Sequence, residues 1–214
     1  MKKLKLILLF TTLVLIISLP AHAAVSAAQA AETTPAPAQA MGASEYAIDQ
    51  AHSSIAFAVK HMAVSTTRGM FTDYEGTISY DKDGYNNFKA DVTIQAKSIN
   101  TGNEKRDTHL KSDDFLGAEK FPTITFKSEK LERQGEVLAI VGDLTIHGVT
   151  KTVTIPVEIS GPVDGPMGQA IGLSGHTTIN RKDFGVNWSK TLDNGGLMVA
   201  DNVDILIDIE AHKK

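Results

Sequence analysis

Four side chains could hold a polar or anionic group beside an apolar surface: His61, Arg68, Arg106 and His109. Ile55, Phe57, Val59 and His61 share one parity, and Arg68, Met70, Tyr74 and Ile78 form a second row. A period of two marks a strand with one buried face. The connector Met62 to Thr67 is short enough to make the rows antiparallel neighbours, which places His61 and Arg68 at one end of the pair, both turned to the apolar side. That arrangement suits a greasy ligand with an anionic or polar head; the alternative is a rim histidine and a snorkelling arginine. Arg106, His109 and Leu110 fall on one side of a short helix and could assist.

Other chemistry is less well supported by the residues. His61 or His109 could act as a general base on a lipid or quinone, but no carboxylate stands at a readable spacing to orient either ring. Five histidines in the body of the domain, His52, His61, His109, His147 and His176, include no helical pair with Glu, and His52 and His61 fall on opposite parities; no metal site is expected. His147 before Gly148 reads as a turn residue. Asp183-Phe184-Gly185 copies a kinase triplet without the accompanying loops, and Gly172-Leu173-Ser174-Gly175 is one residue short of a nucleophile elbow. Asn187-Trp188-Ser189 matches a glycosylation sequon, discounted in a bacterial export.

The elements that must position these residues begin after an export signal. Lys2, Lys3 and Lys5 precede an apolar run from Leu6 to Leu19, then Pro20 and Ala21-His22-Ala23, which reads as a cleaved signal peptide over 1–23. A retained membrane helix needs about 20 apolar residues, and this run stops at Pro20. Residues 24–44, almost wholly Ala, Gln, Pro, Thr and Ser, read as a flexible leader. The remainder, 45–214, is one domain, expected in a bacterial periplasm. It has no cysteine, so its own core must hold it together. Of 21 basic and 25 acidic residues, the three signal lysines leave 18 against 25, a mature net charge of about −7. With no basic stripe, no nucleic-acid partner is expected.

Strand patterns follow one another along this domain. Phe88, Ala90, Val92 and Ile94 alternate with Lys89, Asp91, Thr93 and Gln95, a strand with one wet face. Thr101-Gly102-Asn103-Glu104 offers a capping box, and Asp107 precedes Lys111 by one turn, so a single helix is predicted, ending near Ser112. Asp113 to Lys120 reads as a turn carrying Phe115 and Leu116. Further apolar runs include Leu138 to Ile146, Val153 to Ile159, Ile171 to Ile179 and Val203 to Ile209, with a helical turn at Asn180 to Phe184. Long antiparallel strands with one apolar face must close on themselves or stack. Glycines at 69, 76, 142 and 175 favour the tight bends of a barrel.

Several segments together resemble the YceI-like family. They are His52-Ser53 through Phe57 and His61, Arg68-Gly69-Met70-Phe71, Arg106-Asp107-Thr108-His109-Leu110 with Asp114-Phe115, Lys120-Phe121-Pro122, Gly142 through Lys151, and Asn180 through Gly185. The likeness covers nearly all of 46–209, in order. It implies an all-β, extended eight-stranded antiparallel lipocalin-like barrel with one short helix and a helical turn, exported and non-enzymatic. It also implies a long isoprenoid, a polyprenyl pyrophosphate or quinone-like lipid, bound inside as ligand, with no cofactor. One departure is the Phe-Leu-Gly-Ala after Asp114, where the family pattern carries a second aromatic and an Asp, so the tunnel mouth is expected to differ in shape.

On that reading His61 and Arg68, with Arg106 and His109, face the polar head. Ile55, Phe57, Val59, Met70, Tyr74, Phe115, Phe121, Phe126 and Leu144 line the tail, with Trp188 either touching it or filling core. A strand of 12 residues spans roughly 40 Å, the length of about eight extended isoprene units. A stress-induced module whose barrel is simply filled is the third reading. A homodimer and a transient contact with the inner membrane stay open.

Overall fold

The computed structural model describes residues 42–82, 85–191 and 196–214. The predicted signal, the leader up to residue 41, and Asp83 and Gly84 of the first predicted turn lie outside the described residues. Alternating apolar residues form eleven strand segments. They are β1 (Ser44–Ile48), β2 (Ser54–His61), β3 (Ser65–Phe71), β4 (Tyr74–Tyr80), β5 (Lys89–Gln95) and β6 (Ile99–Asn100). After the helix α1 (Glu104–Lys111) come β7 (Thr123–Gln134), β8 (Val137–Ile146), β9 (Val149–Gly165), β10 (Gly168–Asn180) and β11 (Val199–Lys213).

Every pairing is antiparallel, and the ring closes where β11 takes β1 and β2 on one edge and β10 on the other. Segments β1 and β2 act as one interrupted strand, as do β3 and β4, and β5 and β6. The observed architecture is therefore the predicted closed eight-stranded antiparallel barrel. The three interruptions lie at one level. There Thr72 N–H donates to Ser98 O at 3.2 Å, Gln95 N–H to Asp73 O at 2.9 Å, and Asp49 N–H to Glu210 O at 2.8 Å.

This seam divides the interior. On the side of β1, β4 and β5 the barrel is filled: Tyr46 and Ile78 are 1% and 2% exposed, packed with Tyr74, Tyr80, Phe88, Leu131, Ile140 and Ile171. Tyr46 donates its hydroxyl to Gln169 Oε1 at 2.9 Å, so the polar tip of the most buried tyrosine in that group is satisfied. The side of β2, β3 and β6 is left open as a cavity.

The seam also corrects the predicted rows. Phe71 and Tyr74 both turn inward although one is odd and the other even, because the chain changes strand between them. Extending the inward row of Tyr74 and Ile78 back to Met70 and Arg68 selects the wrong face. A shift of one residue exchanges the two faces of a strand. In β3 Arg68 stands opposite Ala58 and Met70 opposite Ala56, whereas Gly69 and Phe71 face Phe57 and Ile55. Arg68 is exposed and Met70 is 45% exposed on the outer wall.

The helix differs from its predicted start. Its cap is Asn103, whose side chain accepts the Arg106 N–H at 3.1 Å. Thr101 instead gives its N–H and hydroxyl to Asp107 Oδ1, which takes Asp107 away from the expected pairing with Lys111. The helical turn at Arg181–Phe184 is where the pattern placed it, closed by Gly185 at φ +78°.

Arg181 joins that turn to the rim. It is 6% exposed, and its guanidinium donates to Val186 O and Trp188 O at 2.7 Å, to Ala200 O at 3.0 Å and to Asp201 Oδ1 at 3.2 Å. Burial pulls its pKa below the ordinary arginine value while Asp201 opposes the shift. The planar fork suits several acceptors at once, which an ammonium does not reproduce. Arg181→Met leaves buried carbonyls without donors and is expected to lower stability by about 3 kcal/mol, with no rescue in Arg181→Lys, both read from urea unfolding midpoints. In β8, a Cβ on Gly142 would stand 2.5 Å from the backbone oxygen of Lys127. Gly142→Ala is expected to cost about 1–3 kcal/mol, seen as a drop in Tm.

Candidate ligand chamber and its mouth

An eight-stranded barrel can be filled by its own side chains or hold one small ligand, and here the inward residues leave a chamber of about 170 Å³ that exposes no polar atom to its interior. Ile55, Ile94 and Ile124 belong both to the filled core and to the chamber, and so form its floor. Phe57, Val59, Phe71, Ile99, Leu144, Ile179 and Ile205 make the walls. Phe57 and Phe71 lie with ring centroids 6.1 Å apart, and Phe57 crosses the bare backbone of Gly69, where a Cβ would come within 2.5 Å of the ring. Leu110 of α1 and Phe115 and Leu116 of the turn after it cover the chamber from above. Arg181 borders it without exposing a nitrogen to it, since its donors are committed to the rim carbonyls.

Above Leu110 and Phe115 lies a second pocket of about 200 Å³, which shares Phe57, Val59, Leu110, Phe115 and Val199 with the chamber and so adjoins it as the candidate mouth. Lys60, His61, Thr67, Arg106 and His109 bring polar and basic groups to it, and Trp188 and Met198 border it. The Arg106 side chain is steadied by Nε–H donation to Thr101 Oγ1 at 2.8 Å and Nη2–H donation to Thr101 O at 3.0 Å. His109 Nε2 lies 2.8 Å from Asp114 Oδ2. Its ring meets Phe115 and Trp188 edge-on at 5.0 and 5.1 Å, a geometry that aromatic quadrupoles favour.

Of the predicted head-group residues, His61, Arg106 and His109 meet at the mouth and Arg68 does not. Of the predicted tail residues, Ile55, Phe57, Val59, Phe115 and Leu144 line the chamber, and Trp188 stands at the mouth. Met70 points outward. Tyr74 is core on the filled side of the seam. Phe126 is partly buried against that core, beneath Gly142. Phe121 packs on His147, ring centroids 4.5 Å apart, and across Gly148. The predicted tunnel does not run the length of the barrel. Phe71, Ile99, Leu110, Leu116, Val199 and Val203 line the chamber without having been picked out by pattern. For Phe71 a signal was available in the parity of Ile55 and Phe57, and for Val203 in the period-two run from Val203 to Ile209; for the others, which come from a two-residue strand, a helix, a turn and a rim, there was none. The carboxylate partner of His109 was hidden in the same way, five residues on, across the end of the helix.

Three comparisons bear on this barrel. The family model described as "YceI-like domain" matches residues 46–211. The UPF0312 protein SA2479 of Staphylococcus aureus strain N315 is 39% identical over 160 residues, covering 74% of this chain and 91% of that protein. Among solved structures, a Campylobacter jejuni YceI protein is 37% identical with a TM-score of 0.62, covering 72% of this chain and 90% of that one. Burkholderia cenocepacia BcnA is 25% identical with a TM-score of 0.67, over 76% and 98%. A structure described as a polyisoprenoid binding domain from Saccharophagus degradans shares the fold at 14% identity and a TM-score of 0.58, over 79% and 98%. With the family model spanning nearly the whole described barrel and a relative close to two-fifths identical, this chain belongs to the YceI-like family.

Proposed function

We propose that the protein is an exported carrier or sequestering protein for an isoprenoid or similar long-chain lipid. The observation that carries this reading is the chamber without a polar atom that opens on a mouth holding Lys60, His61, Arg106 and His109. An apolar tail gains free energy on entering the chamber, and a charged head excluded from it finds basic groups at the exit. The likeness of fold to a domain described as polyisoprenoid binding supports the same ligand class. Export rests on the Lys-rich and apolar start of the chain.

The geometry bounds the tail. From His61 at the rim to Ile55 at the floor, β2 covers roughly 20 Å at about 3.3 Å per residue. An extended tail of eight isoprene units is about twice that. The strand length alone would admit about four units, but a chamber of about 170 Å³ is close to the roughly 150 Å³ that holds a benzene ring, so it encloses about two units at most and a longer ligand leaves the rest of its tail at the mouth.

A second reading, an enzyme acting on such a lipid, draws on the His109–Asp114 pair, because a carboxylate on one ring nitrogen is how a general base is oriented. A barrel filled from end to end is not what the structure contains.

The deciding experiment is organic extraction of the purified exported protein followed by mass spectrometry. A stoichiometric prenyl or other long-chain lipid is expected, and folded protein that yields no lipid and takes none up from added prenyl phosphates overturns the carrier reading. Ile205→Trp, which fills the chamber, is expected to cut lipid recovery at least about tenfold, the equivalent of about 1.4 kcal/mol, whereas Arg68→Ala on the outer wall leaves it unchanged. His109→Ala separates the readings: a carrier keeps its lipid with no product formed in either protein, while an enzyme loses turnover and accumulates substrate.

A further inference from the structure

A cluster of side chains lies on the outer wall at the other end of β11 from the mouth. Glu210 and His212, two residues apart on β11, project on the same face, and Asp49 reaches them from the turn that follows β1. His212 Nε2 lies 3.0 Å from Glu210 Oε1 and 3.4 Å from Asp49 Oδ2, and one donor atom from each of the three residues lies within 4.8 Å of the other two. Both His212 ring nitrogens are buried although the side chain as a whole is 20% exposed; Nδ1 has no hydrogen-bond partner, and Nε2 faces both carboxylates without the alignment of a hydrogen bond. Buried ring nitrogens are ordinarily satisfied, and a ring set between two acids without an aligned bond is the arrangement that an ion bound to all three would complete.

We propose that Asp49, Glu210 and His212 bind a divalent transition-metal ion of the zinc class. Zinc bonds to nitrogen and oxygen of about 2.0–2.1 Å place tetrahedral ligand atoms roughly 3.4 Å apart. The 3.4 Å separation fits as it stands, and the 3.0 Å one opens by a few tenths of an ångström. One imidazole and two carboxylates suit zinc or manganese better than calcium or magnesium, which prefer an all-oxygen shell. Two ionised carboxylates balance the charge of a divalent ion when the imidazole binds as the neutral ring, so the bound state is electroneutral.

The cluster is also held in place before any ion arrives. Asp49 N–H donates to Glu210 O at 2.8 Å, and Ser53 Oγ both donates to Glu210 O at 3.1 Å and accepts Glu210 N–H at 3.0 Å. Those bonds fix the turn against β11. Asp49 is oriented in turn by Ala51 N–H at 2.9 Å on Oδ1 and by His52 Nδ1 at 2.7 Å on Oδ2, the outer-shell pairing that metal-bound carboxylates commonly have. On β10 the residues opposite His212 and Glu210 are Ala170 and Gly172, too small to crowd the site. The adjoining cleft of about 450 Å³ gives room for waters to complete the shell. None of this depends on the lipid chamber. His212 lies beyond the five histidines whose spacing argued against a metal, and its partners come from opposite ends of the domain.

The test uses untagged protein purified from the full chain, treated with EDTA and dialysed, then titrated with zinc chloride or manganese chloride by calorimetry, with bound metal counted by mass spectrometry. One ion per chain and a raised Tm are expected. His212→Ala and Glu210→Gln should each weaken binding at least about tenfold, and His52→Ala by about 10–100-fold. His176→Ala, at an exposed histidine 4.0 Å from Asp204 on the same wall, should leave it unchanged. Absence of stoichiometric binding by either ion overturns the proposal and leaves His212 as a packing contact between Glu210 and Asp49. Binding that survives in folded Glu210→Gln and His212→Ala, checked by circular dichroism, overturns it equally. Lipid content measured on the same samples is expected to be independent of the metal.

Discussion

The constraint on which the structure depends is the simultaneous interruption of three neighbouring strands at one level of the barrel. A strand that kept its pleat from residue 44 to residue 61, and from 65 to 80, would present one unbroken inner row. The breaks at 49–53, 72–73 and 96–98 reset the inward parity instead, and β11 runs unbroken past them, pairing with β1 on one side of the seam and β2 on the other. Because β11 spans both halves, the barrel stays closed and no edge is left to pair with another chain along that line. The hydrogen bonds across the seam satisfy the backbone groups that the breaks would otherwise orphan.

Each half then has its own packing solution. Tyr46 of β1, Tyr74 and Tyr80 of β4, and Phe88 just before β5 fill the axis on their side. Beyond the seam the inward positions of β3 and β6 carry Gly69, Phe71 and Ile99, and the axis stays empty. Gly69 is the plainest case: its missing side chain is the space in which the Phe57 ring lies, so the aromatic is held against the wall and does not cross the cavity. The opening above is shaped by irregular chain, α1, the turn after it and the rim, which Arg181 ties together through its bonds to carbonyls on both sides of the gap.

How much of this was legible in sequence follows from the same division. Strands with a regular pleat, such as β5, β8 and β11, declare their inner faces by period two, and the barrel follows from their number and length. Ile55, Phe57, Val59 and His61 were placed correctly because they sit within one uninterrupted segment. Arg68 and Met70 were misplaced because a two-residue break, Thr72-Asp73, carries no marker such as Gly or Pro that would warn of a parity change. Contacts made by side chains far apart in the chain, such as Asp49 with His212 or Arg181 with Ala200, have no period to reveal them. Nor does pattern distinguish an inward residue that fills the axis, such as Tyr74, from one that borders a void, such as Ile205; that depends on what stands opposite.

A half-filled barrel has a thermodynamic consequence for a carrier. Burying a forty-carbon tail completely corresponds nominally to on the order of 30 kcal/mol at about 0.8 kcal/mol per carbon, beyond the practical ceiling of about 20 kcal/mol. Even a fraction of that, once realised, would make release slow, since affinity differences are expressed mostly in dissociation rates. Limiting the buried length to about two isoprene units lowers the nominal gain to on the order of 8 kcal/mol, from which the lost freedom of tail and lipid must still be subtracted. What remains is compatible with capture and handover. The plug of Tyr46, Tyr74, Ile78 and Tyr80 thus stabilises the fold and, on the carrier reading proposed above, would limit the depth of a tail, while the mouth, lined with Lys60, His61 and Arg106, would keep a head group at the surface.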